Sequence, residues 1–261
     1  MQAYLKWLIP VIVIGGAGAC WYFMDETLQT SPTVETDVTE VSSSAAAIHY
    51  PLSADHTEVE PLPTLSDSDT WVQASLEKLL SKATLAELLI PTQIIRHIVA
   101  TVDNLPRSKL TVTLRPVRAT PGSFVVSGDE TDRVLSTDNY ARYRMIMGLI
   151  ESADINTVAN WYRQHYALFQ EAYRRLGYPQ GYFNDRLVQT IDNLLDTPEL
   201  VGPIHLVQPN VFYEFSDPEL EARSAGQKTL LRMGPDNTRI IKTKLHELRA
   251  AVIRSEITPD P

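Results

Sequence analysis

Residues 154–176, DINTVANWYRQHYALFQEAYRRL, decide the fold. Ile155, Val158, Tyr162, Tyr166, Phe169, Tyr173 and Leu176 recur at three- and four-residue spacing, the period of one helix face. Trp161, His165, Leu168 and Ala172 form a second stripe beside the first. Asn156, Asn160, Arg163, Gln170 and Arg174 lie on the remaining face. A helix apolar over so wide an arc is packed on two sides, so the pattern predicts one central helix in a mainly α domain. Gly177 and Pro179 stop it.

Helices are predicted on both sides of that segment. Downstream, Leu187, Val188, Ile191, Leu194 and Leu195 point inward from a helix over about 183–195. Ser216-Asp217-Pro218-Glu219 opens another, running to Met233-Gly234-Pro235, and a last helix reaches about Ile253. Upstream, Asp67 to Asp69 offer caps for a run from Trp71 to Leu80, and Thr84 and Glu87 have capping-box spacing. Pro91 suits a first helical position before Ile94, Ile95, Ile98, Val99 and Val102. Residues 107–135 break the period. Leu110, Val112 and Leu114 alternate, a turn follows at 120–123, and Phe124 to Val126 could return, which predicts a small irregular or β-hairpin insert. Pro198, Gly202, Pro203 and Pro209 suggest an ordered connection before Ser216.

The first 66 residues differ in kind. Trp7 to Met24 carry no charge, and a helix over that run spans roughly 27 Å, close to the hydrocarbon thickness of a bilayer. Lys6 precedes the run, while Asp25 and Glu26 follow it. The positive-inside rule then puts residues 1–24 down as a cytoplasmic N-terminus and single transmembrane anchor, meeting the lipid bilayer through 7–24. Cleavage after Ala19, or lipidation at Cys20, is the rival reading of Ala17-Gly18-Ala19-Cys20. Residues 25–66 are rich in Ser, Thr, Pro, Asp and Glu, which predicts a disordered acidic linker. His49-Tyr50-Pro51-Leu52 is its one locally apolar patch, and the sequence gives that patch no role. The helical domain is placed at 67–257.

Charge and motifs narrow the function classes. The net charge of -9 belongs to the linker, because no Lys or Arg lies between Lys6 and Lys78. The remainder is balanced, with no basic field to attract nucleic acid. Cys20 is the sole cysteine, so a disulfide framework is excluded. No nucleophile elbow, phosphate loop or dinucleotide turn is present, and the six histidines lack metal spacing, so neither cofactor nor metal is expected. His165 reads as a core histidine bonded to a tyrosine or a backbone group. Asp185, Asp192 and Asp196 could in principle supply a glycosidase-like carboxylate pair. Arg107, Lys109, Arg115 and Arg118 form the densest basic patch, best explained as a solvated face.

The tyrosines are more informative. Tyr162, Tyr166, Tyr173, Tyr178 and Tyr182 fall among Arg163, Arg174, Arg175 and Arg186. An aromatic core with arginines at its margin explains most of them. The junction Gly177 to Arg186 needs its glycines, its proline and one cap, supplied by Asn184 or Asp185. It does not need Tyr178, Tyr182 and Arg186 as well. These three, with Arg174 one turn back, are therefore the candidate binding residues.

Three long runs, IVATVDNLPR (98–107), GYFNDRLVQTIDNLLDTPE (181–199) and EFSDPELEARSAGQKTLLRMGP (214–235), closely resemble a bacterial family known as domain of unknown function 3014. The resemblance covers roughly residues 65–252. It implies a layout of N-terminal membrane segment, Pro-rich linker and helical domain, hence a bacterial inner-membrane protein with a periplasmic domain. It carries no activity and no functional residues. The function expected is a tethered module that binds an envelope protein or cell-wall partner. The alternative is an enzyme that acts on an envelope polymer through carboxylates in a cleft.

Overall fold

The computed structural model describes residues 47–52, 62–108 and 114–254. The expected membrane anchor, most of the linker and the alternation at Leu110 and Val112 lie outside these residues. Among the described residues, no helix is long and apolar enough to cross a membrane.

The domain is mainly helical, with two small strand hairpins. Helices α1 (Ser68–Glu77), α2 (Lys82–Leu88) and α3 (Ile94–Asn104) come first. A hairpin follows, β1 (Val126–Ser127) paired antiparallel with β2 (Val134–Leu135). Next come α4 (Asp138–Ala141), α5 (Arg144–Ser152), α6 (Ile155–Gln164), α7 (Tyr166–Arg175) and α8 (Phe183–Leu195). The second hairpin pairs β3 (Leu206–Val207) with β4 (Glu214–Phe215). It lies in what the sequence suggested as an ordered connection. A single bridge, Val134 to His205, joins the two hairpins. Short α9 (Pro218–Glu221), then α10 (Ala225–Met233) and α11 (Pro235–Ile253) complete the chain order.

Helix α11 packs on α5, α6, α8 and α10, and α3 packs on α7 and α8. The aromatic segment therefore lies between two layers, as its wide apolar arc requires. One core cluster runs through all of these helices, and a smaller one, around Leu135, Leu206, Phe215 and Leu231, sits under the hairpins. Gly226 lets α10 approach closely. A Cβ there would stand 2.5 Å from Leu194 Cδ2 and 3.2 Å from the Leu105 carbonyl oxygen. The α10 N–H groups of Ala225 and Gly226 are satisfied by the carbonyls of Arg107 and Leu105.

Several helix ends differ from expectation, each for a local reason. Helix α2 is capped by Ser81, whose hydroxyl accepts from the Thr84 N–H, so the Thr84–Glu87 spacing is not its cap. Pro91 precedes α3 rather than opening it, because Gln93 takes a left-handed conformation. The carboxylate of Asp69, on α1, accepts the N–H groups of Gln93 and Ile94 and so caps α3 from a neighbouring helix. The strand expected at Phe124–Val126 starts at Val126 and pairs downstream instead. The helix expected from Ser216 to Met233 is two. Asp217 caps α9, and a full capping box at Ser224 and Gln227 restarts the chain as α10.

The central helix is also two helices. It breaks at His165, whose N–H is shared between the Trp161 and Tyr162 carbonyls. The His165 Nδ1 lies 2.6 Å from the Trp161 carbonyl oxygen, the backbone bond anticipated for a core histidine. That bond makes Nδ1 the donor and leaves Nε2 as an unprotonated acceptor, buried without a partner. The ring stacks on Trp161 at 4.3 Å and tilts against Trp71 at 4.7 Å. Burial lowers the His165 pKa from 6.5 to about 4, Lys78 adding to the effect and the Trp161 carbonyl opposing it.

A group that must lose its proton to fold binds more protons unfolded, so stability rises with pH across this window. The contribution is complete above pH 6.5 and is lost as pH falls toward 4, a change of up to about 3 kcal/mol. His97, also lowered by burial, adds in the same direction. Urea midpoints measured between pH 7 and pH 4 will show this fall, and His165→Phe will flatten most of it. An unchanged slope in that variant would place the acid sensitivity elsewhere.

Candidate functional site

The junction between α7 and α8 is built by a single side chain. Gln170, buried on α7, donates from Nε2 to the Gly181 carbonyl at 2.7 Å. Its Oε1 accepts from the Phe183 N–H and from the Tyr166 hydroxyl, both at 2.9 Å. The sequence put Gln170 on the wet face, but its amide is what the turn closes around. It also replaces the expected cap. Neither Asn184 nor Asp185 caps α8, and Tyr182 stands at the N-cap without a side-chain bond. Gly177, at φ +117°, ends α7 in the left-handed region as its sequence context requires.

Freed from capping, Asn184 and Asp185 hold a segment from 130 residues away. Residues 47–52 lie against the junction. The two Asp185 carboxylate oxygens accept the N–H groups of His49 at 3.0 Å and Tyr50 at 2.8 Å. The Tyr182 hydroxyl accepts the Leu52 N–H at 2.9 Å. Asn184 Nδ2 donates to the Tyr50 carbonyl at 2.9 Å and to the Val252 carbonyl at 3.1 Å, while its Oδ1 accepts from the buried Tyr162 hydroxyl. Tyr50 and Leu52 pack on the main core, as does Leu62 further along. A stretch placed in the linker by composition is thus bound, because its few apolar side chains find the core and its main chain finds four polar partners.

The candidate residues separate into two groups. Tyr178 and Arg186 meet at Asp103, on α3. Arg186 donates from Nε to Asp103 Oδ1 at 3.0 Å and from its other arm to the Asp103 carbonyl. Tyr178 donates to Oδ2 at 3.2 Å, and Arg107 donates to the same oxygen at 2.6 Å and to the Tyr178 hydroxyl at 2.7 Å. The Asp103 side chain is 4% exposed, so this is a buried carboxylate between two arginines. Tyr173, stacked on Tyr178 at 4.5 Å, is pushed up to about 12 by burial and then by the Asp103 charge. Tyr182 belongs to the other group, beside Tyr166 and under the bound segment. Arg174 is exposed on α7 and makes none of these contacts.

Sequence reasoning missed Asp103 and Asn184 as site residues, and considered Asp185 only as a cap or as one of a carboxylate pair. One signal was available: Asp103 is an acid on the apolar stripe of α3, four residues after Val99. The three aspartates proposed for catalysis have other roles. Asp185 holds the segment at 47–52, Asp192 pairs with Arg249, and Asp196 is exposed at the end of α8. The basic patch is dispersed, with Arg107 committed to Asp103 and Arg118 beside an open cavity.

No curated protein and no solved structure matches the chain. A family described as Protein of unknown function (DUF3014) matches residues 94–249, which take in α3 to α10, both hairpins and most of α11, and leave α1 and α2 outside. With more than half of its 261 residues inside that match, the chain belongs to the DUF3014 family.

Proposed function

We propose that this protein is a membrane-tethered interaction module of the bacterial envelope, anchored through residues 7–24 with its helical domain in the periplasm. Its working surface is the α7–α8 junction. The observation that carries this reading is that the junction already grips a short stretch of the chain's own polypeptide through Tyr182, Asn184 and Asp185. Loops fixed by rigid elements are where recognition residues concentrate, and Gln170 fixes this one. The uncharged N-terminal run and the lone Lys6 before it support the anchor and its orientation.

The alternative, an enzyme acting on an envelope polymer, draws on one feature. Glu151 and Asp236 line the same open cavity of about 410 Å³. Asp236 also pairs with Arg239. The interaction reading is preferred because the junction binds a chain segment in place.

A phosphatase fused after Pro261 will be active in cells, and deletion of residues 1–24 will silence it. A photo-crosslinker at exposed Gln180 or Gln189 will capture an envelope component that one at exposed Glu77 does not. An inactive fusion would sink the topology. Equal capture from both faces would sink the surface.

A further inference from the structure

We propose that the α7–α8 junction is a peptide-binding groove for short segments of the form aromatic–proline–aliphatic, and that residues 48–52 are an exchangeable pseudo-ligand filling it in cis. This inference rests on the interaction reading above and names the partner chemistry of that surface.

The groove reads main chain. Three N–H groups and one carbonyl of the bound segment, those of His49, Tyr50 and Leu52, meet side chains of the domain. The pattern skips one N–H, that of residue 51, and residue 51 is proline, which has none. A proline at that position therefore loses nothing to the groove. It also fixes its own φ and narrows the conformations open to the preceding residue, lowering the ordering cost of binding. Selectivity comes from the flanking positions, since Tyr50 and Leu52 both pack on the core.

A second feature makes the occupant exchangeable. The bound segment is short, and its polar bonds lie at or near the surface, those of His49 in full exposure. What holds it is two apolar side chains, four main-chain hydrogen bonds and its tether to the domain. Tethering supplies an effective concentration in the millimolar range, so a partner segment must arrive at a comparable local concentration or bind better. An envelope protein held beside this one in the same membrane meets that condition.

The test uses the full-length protein in detergent and a fluorescent peptide, Ala-Ile-His-Tyr-Pro-Leu-Ser-Ala, copied from residues 47–54. Tyr50→Ser/Leu52→Ser should empty the groove and bind this peptide at least tenfold more tightly than wild type, because the internal competitor is gone. Adding Asp185→Ala should abolish that gain. A peptide N-methylated at its tyrosine should bind at least tenfold more weakly than the parent, since it lacks the Asp185 donor, whereas a Tyr→Phe peptide should lose much less. Leu52→Ala alone provides a milder release should the double variant unfold, with circular dichroism on each sample to report its folding.

Equal peptide binding by wild type and folded released protein would overturn the cis occupancy. Binding indifferent to Asp185→Ala or to N-methylation would overturn the groove. A wild-type protein that dimerises with concentration, and that the peptide dissociates, would make the occupant a second copy and overturn the partner proposed here. Any of these, alongside an active phosphatase fusion and face-specific capture, would leave the envelope interaction reading standing.

Discussion

Phe183→Ala is expected to cost about 3–5 kcal/mol, the range for a fully buried phenyl group. Phe183 is 1% exposed and opens α8. Its ring stacks on Phe169 at 5.7 Å and meets Tyr173 at 5.6 Å. It also lines a small apolar cavity of about 20 Å³, shared with Ile98, Val102, Leu187 and Val252. Truncation would open that pinhole into a dry void between layers that cannot close independently, since α3 and α11 are each fixed by other contacts. Urea denaturation should show a lower midpoint with an unchanged slope. Phe183→Leu, which keeps most of the volume, should lose under about 1.5 kcal/mol. A loss below about 1 kcal/mol for the alanine variant would mean that this ring is not central to the core.

Asp103→Ala should be nearly as costly, about 3–5 kcal/mol, because it strands a charge rather than merely removing a contact. Arg186, with a side chain 20% exposed, would keep its guanidinium without its carboxylate. Arg107 is 49% exposed and recovers water, so its share of the loss is small. Replacing both partners should reverse much of the damage. Asp103→Leu/Arg186→Met removes the buried pair as a unit and should retain at least half of the stability lost by Asp103→Ala. Chemical denaturation of the three proteins, wild type included, decides the matter. A loss below about 1 kcal/mol for Asp103→Ala would reduce the network to a surface feature.

Helices with a one-sided apolar period were legible in existence and position, though not in every end. The bounds of α8 and the end of α11 follow from the spacing of Leu187, Val188, Ile191 and Leu194, and from the run that closes at Ile253. The break at His165 was not legible, because a stripe at three- and four-residue spacing passes through a kink unaltered. Ser224 was hidden for a related reason: Ser216-Asp217-Pro218 offers a stronger start signal eight residues earlier, and one signal masked the next. Of the candidate site, the tyrosine and arginine cluster could be read from its density. Its division could not. Tyr178 and Arg186 depend on Asp103, and Tyr182 depends on Leu52, across 75 to 130 residues of chain. No local rule carries pairing over such a separation. The acidic, proline-rich character of 25–66 likewise concealed a bound stretch, because composition averages over a window wider than the six residues that dock.

The docked stretch at 47–52 also sets a leash length. If residues 7–24 hold the chain in the bilayer as proposed, the 22 residues from 25 to 46 limit how far the junction can stand from the membrane, at most about 75 Å of extended backbone. With the stretch released, the leash runs from 25 to 61 and its limit rises to about 125 Å. Docked, the junction is the face drawn toward the lipid. Undocked, the domain can turn that face outward and reach about two-thirds as far again. Occupancy of one small groove would then decide not only what the protein holds but which layer of the envelope it can touch.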